Sequence, residues 1–65
     1  MDYYKKRSRA IRMIDNMLKA KPKRIVIELA VMRKYGFPSK FVDQYLIKLS
    51  QAEEINYING ELEYE

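Results

Sequence analysis

The chain has 65 residues, with 13 Lys+Arg against 9 Asp+Glu and a formal charge of +4, so it can build one small domain with a core near the lower limit of stability. Hydrophobic residues make up 48% and charged residues 34%, a balance that suits a folded domain and excludes a disordered tail. Cys and His are both absent, which removes disulfide staples, thiolate metal sites and the commonest general base.

Residues 3–20 read as a first helix. Tyr3, Ala10, Ile11, Ile14, Met17 and Leu18 fall on one stripe at helical spacing, and Lys5, Arg9, Arg12 and Lys19 fall on the opposite side. Arg7 sits within the apolar stripe, so the first turns are expected to project beyond the core or to fray. Pro22 cannot continue the helix, and the residue before a proline avoids the α region.

A second helix is expected over about 26–35. Its β-branched approach, Ile25-Val26-Ile27, leaves room for a one- or two-residue strand before it, whereas Glu28 to Tyr35 are good helix formers. Apolar residues wrap most of the way round this helix, which implies heavy burial or a central position. Gly36-Phe37-Pro38-Ser39 is a turn. Gly36 suits the left-handed residue just past a helix, and Ser39 suits the N-cap of the next.

The third helix is expected over about 40–52. Val42, Tyr45, Leu46, Leu49 and Ala52 form its inner stripe, with Phe41 at the edge. Lys40, Gln44, Ile47 and Gln51 form its outer row, flanked by Asp43 and Lys48. Residues 55–64 form a hairpin around Asn59-Gly60, the strongest short hairpin signal. A two-residue turn pairs Ile58 with Glu61, Tyr57 with Leu62, Asn56 with Glu63 and Ile55 with Tyr64. Ile55, Tyr57, Leu62 and Tyr64 then share the core face, so hydrophobic pattern and turn chemistry agree.

Charge is distributed unevenly. Residues 1–24 hold nine basic and two acidic residues, while residues 52–65 hold five glutamates and no base. Such a division reads either as a solvated surface whose ends attract, or as a polyanion-binding face kept apart from an acidic one. The serines Ser8, Ser39 and Ser50 have no base near them in sequence other than Lys or carboxylate. The expectation is therefore a non-enzyme without cofactor. The glutamates Glu61, Glu63 and Glu65 alternate along one strand, but three carboxylates without a further fixed ligand make a poor cation site. No apolar run approaches the ~18–20 residues of a membrane span and no signal peptide is evident, so an intracellular, cytoplasmic location is expected.

Helix, helix, tight turn, helix and two-stranded hairpin is the element order of the winged helix-turn-helix family, an α+β fold, and the local sequence resembles it too. Val31-Met32-Arg33-Lys34-Tyr35-Gly36-Phe37-Pro38-Ser39 resembles the family's second helix, glycine turn and polar cap. Val42, Leu46 and Leu49 stand where the third helix keeps its core residues, and Ile55 stands where the first wing strand begins. The likeness covers roughly residues 8–65, and the chain also looks like the very small members from archaea and their viruses and plasmids.

The resemblance implies a double-stranded DNA-binding protein, a transcriptional regulator, with the third helix in the major groove. Carried over by position, Ser39, Lys40, Phe41, Asp43, Gln44, Ile47 and Lys48 would face DNA. The basic side of the first helix, Lys5, Arg9 and Arg12, would add phosphate contacts. Gln44 can read adenine with two hydrogen bonds, and Ile47 can touch a thymine methyl. A homodimer is expected, because two copies double few base contacts over two half-sites, with the first helix as contact and Tyr3 and Tyr4 as residues that could reach a second subunit. Two features depart from the family: the wing carries Glu61, Glu63 and Glu65 without a base, and Ala52-Glu53-Glu54 stands where a glycine usually precedes the wing. An acidic wing suits the alternative role, a protein–protein interaction module working through the wing or the third helix.

Overall fold

Asp2 opens the first helix: its carboxylate accepts from the Tyr4 backbone N–H at 3.3 Å, one of the donors a helix start leaves without a partner. The structure, a computed structural model, describes residues 2–64. Three helices come first, α1 (Tyr3–Leu18), α2 (Arg24–Tyr35) and α3 (Ser39–Gln51), then two strands, β1 (Asn56–Ile58) and β2 (Glu61–Glu63). This is an α+β layout compatible with a winged helix.

The helices close on one another through Ala10 and Ile14 of α1, Ile27 and Val31 of α2, and Val42 and Leu46 of α3, all at 0% exposure. Phe37, from the turn before α3, completes the core. The hairpin lays Ile55, Tyr57 and Leu62 against that cluster. Its strands are antiparallel with Asn56 opposite Glu63, Tyr57 opposite Leu62 and Ile58 opposite Glu61, the register expected from the sequence. Asn59 and Gly60 take φ of 53° and 76°, the doubly left-handed turn that matches strand twist.

Several boundaries differ from the sequence reading. The first helix ends at Leu18, and Lys19, Ala20 and Lys21 continue only as tight turns that donate to Asn16, Met17 and Leu18. Its first turns remain helical rather than frayed: Tyr3 sets its ring edge on Phe37 at 6.0 Å, and Lys6 Nζ lies 5.2 Å from the same ring. The second helix starts at Arg24 with no strand before it. The few tenths of a kcal/mol by which Ile and Val disfavour a helix are outweighed by burial of Ile27 and by an ion pair within α2 between Arg24 and Glu28 at 2.6 Å.

Only one side of α2 is covered, whereas its sequence had suggested heavy burial. Ile25, Val26, Leu29 and Met32 remain between 41% and 51% exposed. α2 turns Ile27, Glu28 and Val31 inward, and among the described residues these four side chains are left at the surface.

Helix ends follow capping physics. Gly36 is left-handed at φ 75° and donates to Met32, as expected. Pro38, not Ser39, occupies the N-cap of α3, with φ −72° and ψ 164°. Proline's fixed φ fits the extended cap residue, and Ser39 becomes the first helical residue. At the other end of α3, Glu54 donates to Leu49 and Glu53 to Ser50, both at 3.0 Å. Glu53 sits at φ 60°, so the left-handed residue before the wing survives without glycine, at a cost of about 1 kcal/mol.

Candidate nucleic-acid interface

The outer row of α3 is where the sequence put it. Lys40, Gln44, Ile47 and Gln51 are exposed, Ile47 to 41%, while Val42 and Leu46 on the other side are fully buried. One turn of helix separates successive members of such a row, so their side chains project together. Ser39 is exposed at the helix start, where no side chain caps the free N–H groups.

Two expected members of the interface are engaged inside the protein instead. Phe41 is half-buried and stacks on Phe37 with centroids 4.3 Å apart and planes 10° apart. Asp43 accepts a hydrogen bond from the Tyr57 hydroxyl, tying α3 to β1. Burial, and then that bond, push the Tyr57 phenol up to about 12. Both side chains lie at the flank of the exposed row, where a neighbouring element reaches them first.

The Tyr45 hydroxyl donates to Asp15 at 2.7 Å, and burial followed by this bond raises its pKa above the ordinary tyrosine value. That bond joins α3 to α1. Beside it, Arg7 and Ile11 of α1 line a recess shared with Phe41, Gln44 and Lys48 of α3. Arg7 was not among the expected site residues. Its place in the apolar stripe of the first helix was the signal, because a cation on that stripe must emerge at a helix–helix seam.

Lys5, Arg9 and Arg12 are exposed but lie away from this seam. At about 100° per residue, Arg9 is about 160° round α1 from both Arg7 and Ile11. Arg9 and Arg12 instead line a groove against Lys34 and Tyr35 of α2. The expected basic stripe and the outer row of α3 therefore do not form one continuous surface.

The hairpin's outer side carries Asn56, Ile58, Glu61 and Glu63, all exposed; Glu65 lies outside the described residues. Arg24 was missed by the sequence reading. Its Nε donates to the Gly60 carbonyl at 2.5 Å while Nη1 donates to Glu28, and the bond and charge of Glu28 raise its already high pKa. Tyr64 reaches back to the Pro22 carbonyl at 2.7 Å, and burial raises its pKa.

Among the described residues, no group of three or more His, Cys, Asp or Glu is placed to hold a metal ion, and no helix is long and apolar enough to cross a membrane. No family model, no curated protein and no solved structure matches this chain.

Proposed function

We propose that this protein binds double-stranded DNA through α3 and acts as a winged-helix transcriptional regulator. The observation that carries this reading is the outer row of α3. Lys40, Gln44 and Ile47 stand exposed on a helix whose other side is locked in the core. A helix of this width enters the major groove, where Gln44 offers two hydrogen bonds to adenine and Ile47 a methyl contact to thymine. Ser39, Lys40 and the uncapped N–H groups would hold a phosphate. Lys48 and Arg7, which share a recess with Gln44, add positive charge. Phe41 and Asp43 position the helix rather than touch DNA.

The acidic outer side of the hairpin would be repelled by phosphate and stays off the duplex in this reading. Pairing of two copies would supply two half-sites, and gel filtration with and without duplex measures it. The test of DNA binding is a gel shift on random duplexes at two salt concentrations. Binding should weaken steeply with salt; absence of a shift at low salt overturns the reading. The alternative interaction module draws on Ile58, which is 51% exposed directly across the ladder from Glu61. Capture of a basic protein without any duplex binding would favour it.

A further inference from the structure

The exposed side of α2 is an apolar stripe in its own right. At about 100° per residue, Ile25, Val26, Leu29 and Met32 spread over ~120° of the helix, on the side turned from Ile27 and Val31. A stripe of that width ordinarily packs on another element, and a contiguous apolar patch left at a surface marks an interaction site. No acid belongs to it, because Glu28, the one carboxylate of α2, is turned inward and held by Arg24. Arg33 lies within the stripe near its end and Lys23 stands at its start, both exposed. The face is therefore apolar with a cation at each end.

The same chain bears the complement. On the hairpin's outer side Ile58 is exposed directly across the ladder from Glu61, and Glu63 follows two residues later on the same face. This side is apolar at its centre and acidic around it. The two patches adjoin. Lys23, Arg24 and Ile25 border a recess with Gly60, Glu61 and Leu62, and the bond from Arg24 to the Gly60 carbonyl fixes the hairpin tip there. Two α2 faces, by contrast, are poor partners for each other. Antiparallel pairing sets Arg33 against Lys23 of a second copy, and parallel pairing sets Arg33 against Arg33, so like charges oppose both.

We propose that this protein dimerises about a twofold axis that lays the α2 face of each copy on the outer side of the other copy's hairpin. Patches that adjoin within one chain can exchange in this way, and such an isologous contact closes as a dimer. Area also favours the joint use of both patches. A standard interface takes ~800 Å² from each partner, about a sixth of the 4877 Å² surface of this chain. One face of α2, 12 residues and ~18 Å long, is too small to supply that without the hairpin. Lys40, Gln44 and Ile47 of α3 belong to neither patch. The dimer stands apart from the DNA-binding reading; where both hold, it moves the contact from α1, expected from the sequence, to α2 and the hairpin.

Sedimentation equilibrium over a range of concentrations tests this, with thermal melts on the same preparations. Wild-type protein should be a dimer that weakens severalfold from low to high salt, since opposite charges border its contact. Leu29→Glu should weaken dimerisation about tenfold or more, as loss of a central anchor does. Arg33→Glu alone and Glu61→Lys/Glu63→Lys alone should each shift the protein toward monomer, with melting temperatures near wild-type. An equimolar mixture of these two variants should dimerise again, because each then meets the opposite charge on the other. Failure of the mixture to recover the dimer would overturn the proposal. A dimer that strengthens with salt would mean that α2 faces meet each other, and species larger than a dimer would exclude the reciprocal contact. Unchanged dimerisation in every variant would place the contact elsewhere, α1 included. Wild-type protein that stays monomeric yet shifts a duplex sinks the dimer and leaves the α3 reading; a dimer that shifts no duplex does the reverse.

Discussion

The Arg24 guanidinium holds the carbonyl of Gly60, 36 positions further along the chain, at 2.5 Å. This bond anchors the hairpin tip to the start of α2. The same guanidinium holds Glu28 at 2.6 Å, and Glu28 is only 5% exposed. One side chain thus ties the hairpin down and neutralises the buried carboxylate of the core's edge.

Removing Arg24 alone should therefore hurt more than removing both charges. Arg24→Met leaves Glu28 desolvated without its cation and frees the hairpin tip, so the melting temperature should drop clearly. Arg24→Met/Glu28→Leu replaces the pair by apolar volume, an exchange that is often neutral, and should recover much of the loss. Thermal melts of the two variants decide it. Equal losses in both would mean that the Gly60 bond, not the buried charge, dominates.

Ile47 and Val42 separate recognition from stability. Ile47→Asp changes an exposed residue and should alter stability by no more than ~0.5 kcal/mol. In the DNA reading it places a new charge in the major groove, so sequence-specific affinity should fall by ~1–3 kcal/mol. Val42→Asp buries a carboxylate at a site of 0% exposure, a cost of several kcal/mol that a domain this small cannot absorb. Melting and titration on the same preparations are the measurements. Wild-type DNA affinity for a folded Ile47→Asp would remove α3 from the recognition role.

The wing offers a charge test. Glu61 and Glu63 are exposed on the hairpin's outer side. Changing both to Lys should strengthen binding to any duplex if the hairpin approaches the backbone, and should leave it flat if the hairpin points elsewhere. The salt dependence of affinity reads the difference, steepening by about 0.9 for each new phosphate contact.

Alkaline pH should loosen α3 from its neighbours. The Tyr57 pKa rises from 10.0 to about 12 on folding, because of burial and then its bond to Asp43. Tyr45 shifts in the same direction, through burial and Asp15. A raised folded-state pKa means that the folded form holds the proton more tightly. The stabilisation is thus complete below pH 10.0 and is lost as pH climbs toward 12. The urea midpoint should hold below that window and fall within it. Tyr57→Phe should cost about 1 kcal/mol at neutral pH for the lost hydrogen bond and flatten the alkaline fall. A fall of the same steepness in the Phe variant would assign it to other groups.

Most of the local architecture was legible because local physics produces it. Apolar spacing set three helices, Asn59-Gly60 set the hairpin turn and its register, and Gly36 set the end of α2. The split of α3 into Val42 and Leu46 within, Ile47 and Gln44 without, followed from helical periodicity alone.

Periodicity orders the side chains around one helix axis, but it does not say which neighbour each side meets. Only packing decided that Arg7, rather than Lys5 or Arg9, shares a seam with α3, and that Arg9 and Arg12 look into a groove with α2. Only packing drew Phe41 onto Phe37 and Asp43 onto Tyr57. Burial of Ile27 and the pairing of Arg24 with Glu28 and Gly60 carried the helix back to Arg24 through a β-branched run that had left room for a one- or two-residue strand. The bonds of Asp43 to Tyr57 and of Arg24 to Gly60 join residues far apart in the chain, brought together by closing three helices and a hairpin over one small core, and no short window of sequence contains both partners.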